Sequence, residues 1–229
     1  NYTTIQSGGP AQALLIAQDK NELEDLVRSI WELDLPLLVI GSGSNVLVSD
    51  RGIREVVIIN HAHNISIHTE GRDYWVTAES GALMATVARQ AVNRHLSGLE
   101  WAATLPGTVG GAIYGNAGCF GRETADSFIQ AEILHPKKGK VIYRKEDMSF
   151  TYRSSILKRE KDHCVILDGC FSLQPGDGEQ MIEKIEANKI QRQTAQPAGA
   201  SMGSVFRNPP HEKAGKLIEG AGLKGKKIG

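Results

Sequence analysis

The sequence predicts a mixed α and β protein with two successive subdomains and a shorter C-terminal segment. Two observations support this fold class. Apolar residues recur at strand and helix periods through most of the chain, and a proline- and glycine-containing linker, TAQPAGASMG at 194–203, follows the last of these elements. A chain of 229 residues is long enough for one large domain or two ordinary ones. We place the boundaries at 1–60, 61–196 and 197–229.

The first subdomain is predicted as a strand–helix–strand unit. AQALLIA at 11–17 has strand character, and the following segment has apolar residues at helical spacing. Asp19 followed by Glu22 resembles a capping box at the start of this helix. Three further segments are predicted to be strands: LLVIG at 37–41, VLVSD at 46–50 and REVVIIN at 54–60.

The second subdomain is predicted to contain hairpins and two longer helices. The hairpins pair ISIHTE with DYWVTAE, and FIQAEILHP with KVIYRKE. Ser80 is predicted to cap the helix ALMATVARQAVNRHL, HCVILDGCFSL is a strand, and DGEQMIEKIEANKIQRQ is a helix. The last segment contains a predicted helix, HEKAGKLIEG, but only about 33 residues, too few for an independent core. We therefore expect the third domain to continue beyond Gly229.

Composition excludes several classes of protein. Lysine plus arginine equals aspartate plus glutamate at 26 each, which argues against a nucleic-acid-binding surface. No apolar run approaches the roughly 20 residues that a membrane span needs, and the first residues do not resemble a signal peptide. The three cysteines form no CxxC pair, so neither a disulfide framework nor a metal site is predicted, and a reducing cytoplasm fits.

Two glycine-rich loops are the strongest candidates for a ligand site: GSGSN at 41–45 and LPGTVGGA at 105–112. Glycine loops can expose backbone N–H groups to phosphate oxygens. The dinucleotide fingerprint G-x-G-x-x-G fails, because Val46 occupies the position of its third glycine, and no Gly-Lys-Ser/Thr closes a P-loop.

The second loop has the more specific pattern. Six of the eighteen residues 104–121 are glycine. Thr108 can cap a short helix that starts at Val109, and Gly110 and Gly111 would leave its first turn without side chains for a diphosphate to approach. Two phosphate-binding loops on successive subdomains predict a dinucleotide held between them.

Five motifs together resemble the UDP-N-acetylenolpyruvoylglucosamine reductase family. They are, in the family's order, TTIQSGGPA at 3–11, GSGSNVLVSD at 41–50, LPGTVGGAIYGNAG at 105–118, YRSS at 152–155 and GSVFRNP at 203–209. The resemblance implies an α+β fold: a two-subdomain FAD-binding part of the vanillyl-alcohol-oxidase type, followed by a substrate domain that is incomplete here. The short spacing after Ser155 implies the class that lacks an extra tyrosine-bearing loop.

The resemblance also implies ligands and roles. FAD would be bound non-covalently and reduced by NADPH, after which the oxidised nicotinamide nucleotide leaves. The enolpyruvyl ether of UDP-N-acetylglucosamine would then enter and be reduced to UDP-N-acetylmuramate, a cell-wall precursor. The residues implied for FAD are Gly41, Ser42, Gly43, Ser44, Asn45, Val46, Pro106, Gly107, Thr108, Gly110, Gly111, Asn116, Ala117 and Gly118. A cytoplasmic monomer is expected.

The implied catalytic residues are Arg153, which would stabilise the enolate and carboxylate, and Ser204, which would deliver a proton. Tyr152, Asn208 and Arg192 are implied substrate contacts. The family's catalytic glutamate falls beyond Gly229.

Structural alternatives stay open for several of these residues. Asn208 can be a turn asparagine, Tyr152 a packing residue and Arg192 a solvated helix end. Two other functions also remain: an oxidase or dehydrogenase on the same flavin scaffold, with Cys119 as a possible covalent tether, and a nucleotide-binding module without catalysis.

Overall fold

The computed structural model describes residues 2–160, 163–195 and 199–227. The strands within these ranges are β1 (Ala11–Ala17), β2 (Leu37–Ile40), β3 (Ile53–Asn60), β4 (Ile65–Glu70), β5 (Asp73–Glu79), β6 (Leu96–Ser97), β7 (Gly118–Cys119), β8 (Arg122–Glu123), β9 (Phe128–His135), β10 (Gly139–Arg144) and β11 (Val165–Pro175). The helices are α1 (Lys20–Glu32), α2 (Met84–Val92), α3 (Val109–Gly115), α4 (Thr124–Ser127), α5 (Lys145–Met148), α6 (Ile156–Arg159), α7 (Gly178–Ala195) and α8 (Ala214–Gly220).

The first subdomain contains a three-stranded parallel sheet in the order β1-β3-β2. The central strand β3 pairs Ile58 with Leu15 on one side and with Val39 on the other. β1 and β2 run parallel on opposite sides of β3, and α1 is the crossover that connects them. The strand and helix predictions for 11–17, 19–35, 37–41 and 54–60 are confirmed.

The second subdomain is built on a larger antiparallel sheet in the order β10-β9-β11-β5-β4, with β6 paired to β11 outside this path. Both predicted hairpins, β4–β5 and β9–β10, are confirmed. The long strand β11 joins them, because it pairs with β5 on one side and with β9 on the other. The main core lies between this sheet and the segment from α2 to α3, with Trp101 and Ile113 fully enclosed.

Helix α1 connects the two sheets. Its buried residues Leu23, Val27 and Ile30 contact Ile58 of the small sheet and Leu167 of the large one within a single apolar cluster. Burying one such side chain contributes about 1.5–3 kcal/mol. The apolar face of α1 therefore fixes the small sheet against the large one.

A partly buried ion-pair network strengthens the same interface. The Lys20 ammonium lies 3.0 Å from a Glu132 carboxylate oxygen and 2.8 Å from one of Asp168. Burial acts to lower the pKa of Lys20, but the hydrogen bonds and charges of the two carboxylates outweigh it and raise the pKa to about 12. A raised pKa means that folding favours the charged amine.

Lys20→Met should lower the free energy of unfolding by about 1–2 kcal/mol, because it leaves two carboxylates without their cation. Because the pKa of Lys20 rises from 10.5 to about 12 on folding, its contribution is complete below pH 10.5 and is lost as the pH rises through 12. Urea unfolding at pH 7 and pH 11.5 measures both effects. Lys189→Met, which removes an exposed pair with Glu186, is the control and should cost less than about 0.5 kcal/mol. Equal losses in the two variants would contradict this account.

Ser80 does not cap α2, so this prediction was wrong. The helix begins at Met84 with Leu83 as its N-cap. Ser80 is buried at the end of β5, where its hydroxyl accepts a hydrogen bond from the Asn60 side chain at 2.8 Å and its N–H donates to the carbonyl of Leu167. The serine therefore anchors a connection between strands, four residues ahead of the helix.

Two other local predictions need correction. VLVSD at 46–50 is a loop, because the Ser49 carbonyl accepts hydrogen bonds from the N–H groups of Gly9 and Gly52 instead of joining a sheet. Asp19 does cap α1, but the Glu22 carboxylate accepts from the N–H of Gln18, one residue before the position that a capping box requires.

The two sheets fall within the ranges 1–60 and 61–196, and we keep these boundaries as a proposal. The proposed boundary between residues 196 and 197 lies outside the described residues. The helix predicted beyond it is confirmed as α8.

Candidate active site

The two glycine-rich loops lie against each other. A Cβ added to Gly41 would overlap the Thr108 side chain, and one added to Gly107 would lie 3.0 Å from the Ser44 hydroxyl. Gly107 has φ +128° and Gly43 has φ +64°, a region that L-residues other than glycine rarely enter. The absence of side chains thus allows loops separated by more than 60 residues to form one surface.

That surface presents several unused backbone donors. Within the described ranges, no hydrogen bond is donated by the N–H groups of Ser42, Gly43, Ser44, Asn45, Gly107 and Thr108. Backbone N–H groups that are partly buried without a partner are uncommon in native proteins. Consecutive N–H donors with adjoining hydroxyls form a concave site suited to phosphate oxygens. The diphosphate of a dinucleotide therefore fits the residues at this junction.

The start of α3 differs in part from the prediction. Thr108 is its N-cap, and the Thr108 hydroxyl accepts from the N–H of Gly111 at 3.5 Å. The N–H groups of Val109 and Gly110, however, already donate to the carbonyls of Ala82 and Ser80 at 2.8 Å. A side chain on Gly110 would crowd Ser80, so this glycine permits close packing of the loop and its N–H is not available to a phosphate.

The end of α3 leads to a second group of predicted residues. Asn116 is fully buried and has left-handed backbone, while Ala117 donates to the carbonyl of Ala112. Gly118 belongs to β7, where a Cβ would lie 2.6 Å from the carbonyl oxygen of Arg122. The Asn116 side chain is occupied by protein contacts, so only the backbone of this segment is available to a cofactor.

Arg153 lies next to this segment. Its guanidinium donates a hydrogen bond to the carbonyl of Gly118 and lies over the Tyr152 ring, 5.5 Å from the ring centroid. Tyr152 and Arg153 form the tip of a tight turn closed by mutual backbone hydrogen bonds between Thr151 and Ser154. Arg153 has φ +56°, a conformation that costs about 1–3 kcal/mol for a residue other than glycine and that its surroundings must enforce.

A second arginine reaches the same region from α7. Arg192 donates to the carbonyl of Thr104 at 2.9 Å, just before the second glycine loop. Burial raises the pKa of the nearby Cys119 thiol, although the charges of Arg192 and Arg153 act against this. Cys119 therefore stays a neutral thiol near pH 7, and it donates to the carbonyl of Trp101 at 3.2 Å. Arg192 thus lies beside the candidate site and not on an isolated helix end.

Arg207, three residues after Ser204, lies close enough to Lys158 to affect its charge. Burial lowers the pKa of Lys158, and the charges of Arg207 and Arg153 lower it further, so Arg207 is close to this group. Ser204 is exposed and follows Gly203, which has φ +77°. Asn208 accepts from the N–H of Ala214 at 3.0 Å, the contact of a turn asparagine that holds the start of α8.

Two supporting residues were not predicted for the site. Thr4 donates from its backbone N–H to the Gly43 carbonyl and from its hydroxyl to the Ser201 carbonyl at 2.7 Å, so it links the first glycine loop to the segment that carries Ser204. Lys158 donates to the carbonyl of Arg153 at 3.1 Å. The sequence indicates a role for them only through their positions: Thr4 lies within the motif at 3–11, and Lys158 follows the YRSS motif at 152–155.

Gly41→Ala should weaken binding of FAD, the dinucleotide that the sequence resemblance implies, roughly 10- to 100-fold, because the new methyl group collides with Thr108 and such overpacking costs about 1–3 kcal/mol. Titration of the apoprotein with FAD, followed by flavin fluorescence, measures the change. Gly215→Ala is the control, since a Cβ there meets nothing within 4 Å. Thr108→Gly should partly restore affinity in the Gly41→Ala protein. Unchanged affinity in the single variant would contradict the contact between the loops.

Within the described parts of the chain, no helix is long and apolar enough to cross a membrane. The same residues contain no group of three or more histidine, cysteine, aspartate or glutamate side chains arranged to hold a metal ion.

The fold and the matching family model define a flavin-nucleotide-binding protein. Residues 11–143 match the FAD binding domain family. Oxidases of low sequence identity share this fold: cholesterol oxidase from Brevibacterium sterolicum has a TM-score of 0.51 at 16% identity, and 6-hydroxy-D-nicotine oxidase from Arthrobacter nicotinovorans has 0.56 at 13%. The aligned regions cover 70% and 76% of this chain, and 34% and 39% of the two oxidase chains, respectively.

More similar relatives narrow the class to one family. Residues 193–229 match the C-terminal domain of UDP-N-acetylenolpyruvoylglucosamine reductase. The whole chain is 40% identical to that reductase from Chloroflexus aggregans and 39% identical to the one from Bacillus subtilis, and spans 78% and 75% of their lengths. The crystal structure of the Thermus caldophilus reductase matches the whole chain with a TM-score of 0.82 at 32% identity, over 79% of its own length. The chain belongs to the UDP-N-acetylenolpyruvoylglucosamine reductase family.

Proposed function

We propose that this protein reduces the enolpyruvyl ether of UDP-N-acetylglucosamine to UDP-N-acetylmuramate, with non-covalent FAD as its cofactor and NADPH as the hydride donor. The observation that carries this proposal is the junction of the two glycine loops with its unused N–H groups, which α3 connects to the segment that holds the Arg153 turn. The reaction belongs to the synthesis of peptidoglycan precursors. We further propose a cytoplasmic monomer.

The loop junction would hold the diphosphate of FAD. Ser42, Gly43, Ser44 and Asn45 supply N–H groups from one subdomain, and Gly107 and Thr108 supply them from the other. The cofactor would therefore bridge the subdomains, and the backbone between Asn116 and Gly118 offers an uncharged surface beside it. When bound, FAD supplies the hydride chemistry, accepting a hydride from the nicotinamide and passing it to C3 of the enolpyruvyl group.

Arg153 would stabilise the negative charge that develops on the substrate. As C3 gains a hydride, the carbon next to the carboxylate becomes enolate-like, and charge accumulates on the carboxylate oxygens. A guanidinium presents a planar, permanently charged fork that pairs with two such oxygens. One N–H of Arg153 is used by the Gly118 carbonyl, which fixes the side chain and leaves its other donors for the substrate.

Ser204 would then protonate the enolate-like carbon at C2. A serine hydroxyl is a weak acid, so it serves only when it is held close to a strongly basic carbon. Gly203, with its positive φ, turns the backbone at this point, and Thr4 ties the segment to the first glycine loop. Tyr152 and Arg192 would contact the sugar nucleotide, whereas the amide oxygen of Asn208 is used within the protein and leaves only its N–H₂ group for substrate.

The oxidase alternative has less support. The oxidases with this fold are 13–16% identical to the chain, whereas the reductases are 32–40% identical. The Cys119 thiol is partly buried, its pKa is raised by burial and it donates to the Trp101 carbonyl. These features oppose the thiolate that covalent attachment to a flavin would require.

The proposed function is tested with the FAD-loaded protein, NADPH and the enolpyruvyl sugar nucleotide. We expect NADPH oxidation beyond one equivalent per flavin only when the sugar nucleotide is present, in a 1:1 ratio with product formed. NADH is the matched comparison and should react more slowly. Oxidation of NADPH that is equally fast with oxygen alone, or reaction with a simple alcohol, would contradict the proposal.

A further inference from the structure

The turn that carries Arg153 is attached to the end of α3 at three points. The Ser155 hydroxyl donates to the carbonyl of Tyr114 at 2.7 Å, the Asn116 side chain donates to the carbonyl of Thr151 at 3.0 Å, and the Arg153 guanidinium donates to the carbonyl of Gly118. These contacts join Tyr114, Asn116 and Gly118, every second residue of the segment 114–118, to the turn. The turn position is therefore set by the helix that starts at the second glycine loop.

Asn116 makes the central contact, and both polar atoms of its side chain bond to backbone groups of the protein. It is fully buried, with Nδ2 donating to Thr151 and Oδ1 accepting from the N–H of Ala125 at 3.0 Å. Its backbone is left-handed, with φ +43° and ψ 60°, and terminates α3. Asparagine is one of the few residues that tolerate this conformation while still offering one donor and one acceptor group.

We propose that Asn116 is a positioning residue for catalysis: its amide holds the Arg153 turn in register with α3, the helix that follows the second glycine loop, so that the guanidinium reaches the substrate. This inference rests on the proposed function and extends it to a residue that the resemblance assigned to the cofactor. The connection matters because Arg153 adopts a backbone conformation that is unfavourable unless its neighbours enforce it. A catalytic group displaced by about 1 Å can lose roughly 100-fold in rate.

Asn116→Asp is the most selective test. The carboxyl group has the same shape, tolerates the left-handed backbone and keeps an acceptor for Ala125, but it replaces the donor to Thr151 with an oxygen facing a carbonyl. Asn60→Asp is the matched control. Asn60 is also buried, accepts one backbone N–H and donates through Nδ2, but its partner is the Ser80 hydroxyl, which can rotate and donate instead.

Stopped-flow measurements on the FAD-loaded proteins separate the two half-reactions. We expect Asn116→Asp to slow reoxidation of the reduced flavin by the sugar nucleotide roughly 10- to 100-fold, while reduction by NADPH changes less than about 3-fold. Asn60→Asp should leave both rates within about 3-fold. Thermal unfolding of each variant monitors any general loss of stability.

A double-mutant cycle with Arg153→Ala decides whether Asn116 acts through Arg153. In the Arg153→Ala protein, Asn116→Asp should slow reoxidation by less than about 2-fold, because the group that it positions is gone. An undiminished effect in that background, loss of bound flavin, or equal slowing of both half-reactions would overturn the inference. Failure of the wild-type protein to reoxidise with the sugar nucleotide would instead overturn the proposed function.

Discussion

The Ser204→Ala protein should bind FAD, and NADPH should reduce its flavin as fast as in the unmodified protein. Reoxidation of the flavin by the sugar nucleotide should be roughly 10²- to 10⁴-fold slower. The change removes only the proton for C2. Without this proton the enolate-like carbon is not trapped and hydride transfer to C3 reverses, so net reoxidation slows while reduction by NADPH is unaffected. Ser204 is exposed and makes no hydrogen bond within the described residues, so its loss should not disturb folding. Single-turnover stopped-flow at the flavin absorbance measures each step.

Ser201→Ala is the control for this prediction. Ser201 lies three residues earlier, is also exposed, and uses its hydroxyl only to accept from the N–H of Gly203. Its carbonyl, which accepts from Thr4, is unaffected by the substitution. We expect the flavin of this variant to be reoxidised at a rate within about 3-fold of that of the unmodified protein, because an exposed residue without a chemical role has little effect when it is replaced. A similar slowing in both serine variants would show that the segment is sensitive as a whole, and Ser204 would lose its assignment as proton donor.

Arg153→Ala should retain FAD and its reduction by NADPH but lose about 10²- to 10³-fold in the rate of substrate reduction, as expected for one preorganised charge facing a developing oxyanion. The pH dependence should not change, because a guanidinium remains charged throughout the accessible range. Arg153→Lys keeps the charge without the planar fork and should recover only part of the rate. Rapid-reaction kinetics with the FAD-loaded variants measures both effects.

Arg159→Ala serves as a comparison on the same structural unit. Arg159 holds the turn from its other side, donating to the carbonyl of Ser149 at 2.7 Å and to the hydroxyls of Thr151 and Ser154. Its removal should slow substrate reduction less than removal of Arg153 does, because it contacts only the protein. An Arg153→Ala protein that purifies without flavin would reassign Arg153 to cofactor binding.

Local patterns were sufficient to predict most of the fold. The apolar run of β1 and the two hairpins involve residues within a short stretch of chain, and the Thr108 cap depends on a threonine three residues before the glycine that it contacts. The errors arose where distant contacts replaced local ones. Ser80 binds Asn60 instead of a helix, and the 46–50 loop bonds to the N-terminal segment instead of a sheet.

The site could be predicted only in part. Motifs identified both glycine loops and Arg153, but not the contact of Gly41 with Thr108, since the two positions come together only when the subdomains pack. Asn116 was assigned to the cofactor from its motif. Its link to Thr151 spans 35 residues and depends on how α3 ends, which no local pattern encodes.

A crystal structure of this protein with FAD bound would show directly whether both glycine loops hold the diphosphate. We expect diphosphate oxygens within about 3.2 Å of N–H groups from both the 42–45 and the 107–108 segments, with the flavin ring next to Arg153. A diphosphate bound on another surface, or contacted by only one of the two loops, would contradict this expectation.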